Sequence, residues 1–300
     1  MLHVMMDDGD MEVQMSFDKK ETLVPVDDAQ LFCFITGKSN PPILVLHGGP
    51  GLGHQYLLPQ MANIGNLGSV IFYDQRGTGK SIGNNNDWQA NPFQTYVHDV
   101  EQLRKKFGVK TLLAHSWGSI LASFYALAYP EEIDKIIYLN PVPVSSADYL
   151  EFVKHRSQIV DLHKNELDAI RESQAFKQGD PKTVEKFYRI YFKNYFAKPE
   201  LADTLSLTMS PQAAINNFKI YDLFYQYTLK NSFDPYEGLK KLNKKSLIVA
   251  GDKDVIPYHY VERLHKNIPA SELVLIKNCG HFSYIDQPDI LFRTIEDFLK

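Results

Sequence analysis

One serine in this chain stands where an apolar run meets a segment of helix-forming residues. Residues 112–114 are Leu-Leu-Ala, Ser116 follows shortly after, and the helix-like pattern begins at about Trp117. On a sharp turn between a strand and a helix, called a nucleophile elbow, a serine hydroxyl projects above the sheet and can attack a carbonyl carbon. Small residues must flank it, as Ala114 and Gly118 do here. The pattern predicts Ser116 as a nucleophile, and an ordinary turn with a surface serine is the alternative.

A nucleophilic serine needs a base, and the base needs a carboxylate to orient it. One apolar run downstream ends shortly before Asp254, and another ends shortly before His281. The carboxyl ends of parallel strands share one edge of a sheet, which is where α/β proteins keep their sites. We therefore predict that Ser116, Asp254 and His281 form a catalytic triad. Asp252 is a second candidate for the acid, and Asp254 is favoured because its place further beyond the strand gives the carboxylate reach to the imidazole.

A glycine-rich loop follows the apolar run of residues 43–46. Residues 47–51 are His-Gly-Gly-Pro-Gly, a composition that excludes regular structure. The backbone of such a loop can approach a ligand closely. We predict that its N–H groups, together with that of Trp117, form an oxyanion hole for the tetrahedral intermediate of acyl transfer. A plain turn is the alternative.

The order of the elements predicts a mostly parallel, doubly wound α/β sheet. Apolar runs without alternation indicate strands that are buried on both faces. We expect strands near residues 31–36, 43–46, 69–73, 111–115 and 135–140, and helices near residues 94–107 and 117–129. After residue 143 the chain becomes charged, aromatic and helical in period. The sequence therefore predicts a core of residues 1–143 and 237–300 with an inserted helical cap of residues 144–236.

Three segments resemble the signature set of the proline iminopeptidases, which are α/β-hydrolase serine exopeptidases. They are residues 47–51, residues 73–81 (Tyr-Asp-Gln-Arg-Gly-Thr-Gly-Lys-Ser) and residues 116–119 (Ser-Trp-Gly-Ser). The order of serine, acid and histidine along the chain is also that of the α/β-hydrolases. The resemblance implies the α/β-hydrolase fold with a helical cap. For the site it implies Ser116 as nucleophile, His281 as base, Asp254 as its orienting acid, and Gly49 and Trp117 as oxyanion donors.

The chain departs from this family at the positions expected to select the substrate. In family members glutamates of the cap bind the free α-amino group of the substrate, and many members carry one in a Trp-rich stretch that has no counterpart here. The cap acids that could replace them are Asp222, Glu200, Asp203 and Glu172, each of which is otherwise a surface charge. Gly48 and His115 are further candidate substrate contacts, since His115 stands where relatives commonly have glycine.

Aromatic residues recur at helical spacing in two parts of the predicted cap. They are Tyr188, Tyr191, Phe192, Tyr195 and Phe196 in the first part, and Tyr221, Phe224 and Tyr225 in the second. Such rows usually serve packing. Some of these rings should still line the pocket, because a cap that covers a triad must face the substrate. A pocket with such walls favours apolar or ring-containing acyl groups.

Three functions fit these observations. The first is an aminopeptidase that releases an N-terminal residue, often proline, through an acyl-enzyme. The second is a hydrolase of the same fold that acts on an ester, lactone, amide or carbon–carbon bond and needs no free amine. The third is a ligand receptor that has lost turnover. Fold alone does not choose among them.

Net charge and cysteine content limit the classes of molecule that the protein is expected to bind. A net charge of −4 gives no general attraction to nucleic acid or to an anionic membrane. Two cysteines, Cys33 and Cys279, suit a reducing cytoplasm and provide no metal site, and we predict no cofactor. The N-terminal residues lack a basic region and an apolar core typical of a secretion signal. We therefore expect a cytoplasmic protein that acts on a small molecule or a short peptide, with its oligomeric state left open.

Overall fold

A sheet of nine strands forms the centre of the computed structural model, which describes residues 19–37, 41–83 and 87–300. The prediction about a secretion signal falls on residues 1–18, outside the described residues. The strands are β1 (Lys19–Val26), β2 (Ala29–Thr36), β3 (Ile43–Leu46), β4 (Val70–Tyr73), β5 (Ile82–Gly83), β6 (Thr111–His115), β7 (Lys135–Leu139), β8 (Lys245–Gly251) and β9 (Ser271–Ile276). Their order across the sheet is β1-β2-β4-β3-β6-β7-β8-β9, with β5 paired to β2.

Six adjacent strands, from β4 to β9 in this order, are parallel, whereas β1 and β5 pair with β2, and β2 with β4, in antiparallel fashion. The prediction of a mostly parallel α/β sheet is confirmed. Every residue of β3, β4 and β6 is buried, which is why their sequences are unbroken apolar runs. The sequence does not predict β1, because most of its residues face solvent and it therefore lacks an apolar run. Only Val24 and Val26 are buried.

The helices of the two sheet-forming parts of the chain are α1 (Pro92–Phe107), α2 (Gly118–Ala128), α8 (Tyr236–Leu239), α9 (Tyr258–Lys266), α10 (Ser283–Asp286) and α11 (Pro288–Leu299). Local sequence fixes the ends of α1. Proline is favoured at the first helical position, and Gly108 ends the helix in a left-handed conformation (φ 67°). The helix α2 packs on β3, β6 and β7, directly beneath the turn that carries Ser116.

Between β7 and β8 the described chain forms helices and no strands. The α-helices of residues 146–230 are α3 (Ser146–Val160), α4 (Lys164–Glu172), α5 (Gln174–Lys177), α6 (Pro181–Phe192) and α7 (Pro211–Lys230). We call residues 146–230 the helical segment. It has a small apolar cluster of its own around Leu167 and Phe187, while Phe224 belongs to the main core with the sheet. The division into a core and a cap of residues 144–236 stays a prediction.

No helix within the described ranges is both long enough and apolar enough to cross a lipid bilayer.

Candidate active site

Ser116 lies on a strained turn between β6 and α2. Its backbone is left-handed (φ 55°), a conformation that costs energy for any residue with a side chain. Its N–H donates to the carbonyl of Leu139 at 3.0 Å, which fixes the turn to the end of β7. Two residues later, a Cβ on Gly118 would lie 2.2 Å from the carbonyl oxygen of Leu46, so glycine is required where α2 meets the end of β3. The turn therefore has the geometry of a nucleophile elbow.

The structure brings Ser116, His281 and Asp254 into one hydrogen-bonded row. Asp254 accepts from Nδ1 of His281, at 2.9 Å to Oδ1 and 3.1 Å to Oδ2. An ionised carboxylate can only accept, so Nδ1 carries the proton and Nε2 is the free acceptor. Ser116 Oγ lies 2.8 Å from that Nε2. The other candidate acid, Asp252, instead accepts from the N–H of Cys279.

Asn140 orients the carboxylate of Asp254. Its Nδ2 donates to Asp254 Oδ2 at 2.8 Å and to the carbonyl of Gly280 at 3.1 Å. Its Oδ1 accepts from the hydroxyl of Ser283 at 2.7 Å. Sequence reasoning missed this residue, although its place directly after β7, at the same sheet edge as the other strand ends, is the signal that could have found it.

Two backbone N–H groups near Ser116 are free to receive an oxyanion. Gly49 and Trp117 both line the cavity above the serine, and neither N–H has an acceptor among the described residues. The N–H of Gly48 is different, because it donates to Tyr56 Oη at 2.7 Å. Gly48 instead allows a close approach of the loop, since a Cβ on it would lie 2.8 Å from Cβ of Ser116.

His115 belongs to a buried chain of hydrogen bonds beneath the site. Because Tyr56 Oη accepts from Gly48, its own hydrogen goes to His115 Nδ1, 2.8 Å away. Nε2 of His115 then carries the proton and donates to the carbonyl of His281 at 3.1 Å. Burial, with the nearby His281, lowers the pKa of His115 well below its usual value, so the ring is neutral. His115 supports the site from below and links the glycine loop to the backbone of His281.

A second neutral histidine fixes the glycine loop to the neighbouring strand end. His47 Nδ1 donates to the carbonyl of Gly48 at 2.9 Å, and its Nε2 accepts from the N–H of Gln75 at 3.0 Å. Burial lowers the pKa of His47 to about 4. The loop is therefore held by an uncharged ring at neutral pH.

The carboxylate of Asp74 accepts hydrogen bonds both from its own loop after β4 and from the segment that follows the glycine-rich loop. Its Oδ1 accepts from the N–H of His54 at 2.8 Å, and its Oδ2 accepts from the N–H of Lys80 at 2.8 Å. Burial raises the pKa of Asp74, but hydrogen bonds from His54 and from the Lys80 N–H hold it below its usual range. A Cβ on Gly79 would lie 2.2 Å from this carboxylate, which explains the glycine.

Cys279 is buried next to His281, and burial raises the pKa of its thiol. It therefore stays protonated and does not act as a nucleophile. Across the residues that the structure describes, no group of three or more His, Cys, Asp or Glu side chains could hold a metal ion.

A cavity of about 620 Å³ opens above Ser116 and is walled mainly by the helical segment. Among the described residues its lining holds no aspartate or glutamate. The four acids considered for binding an amine, Asp222, Glu200, Asp203 and Glu172, are exposed and lie outside the lining. The lining residues contributed by the helical segment are Tyr149, Phe152, Val153, Arg156, Ser157, Val160, Arg171, Phe176, Phe187, Tyr188, Tyr191, Phe192, Tyr195, Phe218 and Tyr221.

The family model described as "alpha/beta hydrolase fold" matches residues 41–288, a range that includes Ser116, Asp254 and His281. This chain belongs to the α/β-hydrolase family. As a member of that family it is a hydrolase.

Individual relatives confirm the resemblance to proline iminopeptidases. This hydrolase is 28% identical to "Proline iminopeptidase" of Saccharolobus solfataricus over 271 residues, which are 87% of this chain and 85% of that protein. The solved "Proline iminopeptidase" of Mycobacterium smegmatis has a TM-score of 0.69 at 20% identity, covering 93% of this chain and 97% of that one. An "Esterase" from Exiguobacterium antarcticum reaches 0.66 at 24% identity, covering 93% and 99%. At such identities the two solved structures show the fold alone.

The hydrogen-bond chain below the site predicts the effect of Tyr56→Phe. Loss of the hydroxyl leaves the Gly48 N–H and His115 Nδ1 buried without partners, and such an unpaired group costs about 1–3 kcal/mol. We expect the free energy of unfolding to decrease in urea denaturation by about 1–3 kcal/mol for each of these two groups. The matched control is Tyr258→Phe, whose ring is exposed and which should change stability by less than about 0.5 kcal/mol. Equal stability of Tyr56→Phe and wild type would contradict the assigned network.

Two buried neutral histidines predict a loss of stability in mild acid. In the unfolded chain both rings titrate near pH 6.5, whereas in the fold the pKa of His47 is about 4 and that of His115 is also lowered. Between these values the unfolded chain binds more protons, so the free energy of unfolding decreases as pH falls. The slope is at most about 1.4 kcal/mol per pH unit for each ring.

Urea denaturation between about pH 7.5 and pH 5.5 measures this slope. The variant His115→Gln should reduce it, and His155→Gln, which removes an exposed histidine, should leave it unchanged. A wild-type stability that stays constant over this range would show that the buried rings are not neutral.

Proposed function

We propose that this hydrolase cleaves acyl compounds through a covalent intermediate on Ser116. The observation that carries the proposal is the row of Ser116 Oγ, His281 and Asp254, with 2.8 Å between Oγ and the unprotonated Nε2. A strained serine, a correctly protonated histidine and two free N–H groups on one cavity fit the requirements of acyl transfer. A receptor that had lost turnover would not need this set.

In the first step the Oγ–H proton of Ser116 moves to Nε2 of His281 as Oγ bonds to the carbonyl carbon. The carbonyl oxygen becomes an oxyanion and accepts from the N–H groups of Gly49 and Trp117. Asp254 stabilises the imidazolium that forms, and Asn140 holds Asp254 in place. Nε2–H then donates its proton to the leaving group, the bond to that group breaks, and an acyl-enzyme remains.

In the second step a water molecule gives a proton to Nε2 of His281 while its oxygen attacks the acyl carbon. The same two N–H groups stabilise the second oxyanion. His281 returns the proton to Ser116 Oγ as the ester bond breaks, so the acid product leaves and the serine is restored.

The cavity wall favours an apolar or aromatic acyl compound with no free amine. A carboxylate is the strongest partner for a protonated amine in such a cavity, and the described lining provides none. This supports a hydrolase of esters, thioesters or amides. Release of an N-terminal residue such as proline is the second candidate, favoured by the similarity to proteins named proline iminopeptidase.

The nucleophile is tested with Ser116→Ala on p-nitrophenyl butyrate. We expect kcat to fall by about 10⁴-fold or more, because no other group in the site can form the acyl-enzyme. The matched control is Ser157→Ala, a serine on the wall of the same cavity. Circular dichroism should show that both variants are folded. Activity of Ser116→Ala close to that of wild type would overturn the proposal.

The two candidate substrates are separated with proline β-naphthylamide and its N-acetyl derivative. Because the described lining has no acid, we expect no preference for the free amine in kcat/KM. A preference of more than about tenfold for the free amine, corresponding to about 1.4 kcal/mol, would instead support the aminopeptidase candidate.

A further inference from the structure

One arginine lies on the face of α3 that lines the cavity. The face consists of Tyr149, Phe152, Val153, Arg156, Ser157 and Val160, which recur at spacings of three and one along the helix. Such a row is normally apolar where it faces a buried space. Arg156 interrupts it, and its guanidinium is always charged. A charge at this place needs a partner.

Aromatic side chains contact Arg156 in the described part of the chain. Nη2 donates to Tyr221 Oη at 2.6 Å, and Cζ lies 5.6 Å from the ring centroid of Phe152 and 5.7 Å from that of Tyr221. Among the Asp and Glu side chains that the structure describes, which do not include that of Asp161, none is paired with its guanidinium. The other arginine of the lining is different, because Arg171 pairs with Asp168 at 3.2 Å.

Two hydroxyl hydrogens in the cavity wall that carries Arg156 have no acceptor among the described residues. Tyr191 and Tyr195 line the same cavity as Arg156. Tyr195 Oη donates to Tyr191 Oη at 3.3 Å, which leaves the hydrogen of Tyr191 without an acceptor in the described part of the chain. The oxygen of Tyr221 accepts from Arg156, and its hydrogen likewise has no acceptor in that part of the chain. The cluster has donors in excess and needs an acceptor.

This cluster shares the cavity with the reacting groups. Tyr195 lines the cavity together with Arg156, and its carbonyl accepts from the backbone N–H of His281 at 2.6 Å. The rings of Tyr195 and His281 are 5.5 Å apart. A molecule whose carbonyl lies at Ser116 can therefore extend along the aromatic wall towards Arg156 within the same cavity.

We infer that Arg156, Tyr191 and Tyr221 form a carboxylate-binding subsite, and that the preferred substrate carries a carboxylate apart from the bond that is cleaved. The planar guanidinium matches the two oxygens of a carboxylate, and hydrogen bonds between charged groups are stronger than those between neutral groups. The two hydroxyl hydrogens complete the coordination of such a group. The inference rests on the proposed function in placing the cleaved bond at Ser116.

The first experiment compares anionic with neutral esters of equal chain length. Mono-p-nitrophenyl esters of adipic, pimelic and suberic acids carry a carboxylate in the acyl part, and p-nitrophenyl hexanoate, heptanoate and octanoate are their neutral counterparts. The pair of 4-carboxyphenyl octanoate and phenyl octanoate places the carboxylate in the leaving group. For at least one pair we expect wild-type kcat/KM to favour the anionic ester by about tenfold to a hundredfold, mainly through KM.

Variants assign this preference to Arg156. Arg156→Gln should abolish it, and Arg156→Lys, which keeps the charge but loses the planar fork, should retain part of it. The matched control is Arg171→Gln, which removes the same charge from the same lining and should keep the preference within about threefold, since Arg171 is already paired. Wild type that does not favour any anionic ester, or a preference that survives in Arg156→Gln, would overturn the inference.

A binding measurement separates this inference from the proposed function. Octanoate is titrated calorimetrically into Ser116→Ala and into the double variant Ser116→Ala/Arg156→Gln. Binding that is weakened about tenfold or more by loss of the arginine supports the subsite even if no ester is hydrolysed. Equal binding by the two proteins, with both folded by circular dichroism, would contradict it.

Discussion

The position of His281 depends on hydrogen bonds from three separate parts of the chain. Its ring is oriented by Asp254 after β8, its backbone N–H donates to the carbonyl of Tyr195 in the helical segment, and its own carbonyl accepts from His115 at the end of β6. The loop after β9 has no regular structure that could fix a side chain by itself. The imidazole therefore meets Ser116 only because the sheet edge and the helical segment both hold its backbone.

Neutral groups surround this histidine, and that affects the chemistry. The ring of His115 lies 5.1 Å from that of His281, and a positive charge there would oppose the imidazolium that forms when His281 takes a proton. Burial keeps His115 uncharged, as it does His47 under the glycine loop. The negative charge of Asp254, which Asn140 holds in place, therefore favours proton transfer to His281. Burial keeps the two neighbouring histidines neutral, so no positive charge opposes it.

Strand ends made much of the site predictable from the sequence. Ser116, Asp254 and His281 each follow an apolar run that forms a strand, and parallel strands bring such positions to one edge. Asn140 obeys the same rule but was missed, because an amide after a strand is not a reactive group by itself. Tyr56 and Arg156 could not be found in this way. The role of Tyr56 depends on a contact between distant segments, because its hydroxyl joins Gly48 to His115. The role of Arg156, a single cation on an apolar helix face, can be recognised only when the cavity that this face lines is known. For the same reason the exposed acid Asp222 could not be told from a lining residue.

The hydrogen bond from the N–H of His281 to the carbonyl of Tyr195 limits how the helical segment can change in evolution. A helical segment joined to the sheet by covalent linkers alone could be exchanged for another without cost to the reacting groups. Here the segment also supplies a backbone acceptor to the residue that moves the proton. A chimaera that receives a foreign segment must present a carbonyl at the same place, so changes of specificity in this lineage should accumulate as side-chain replacements on the existing helices more readily than as whole-segment exchange.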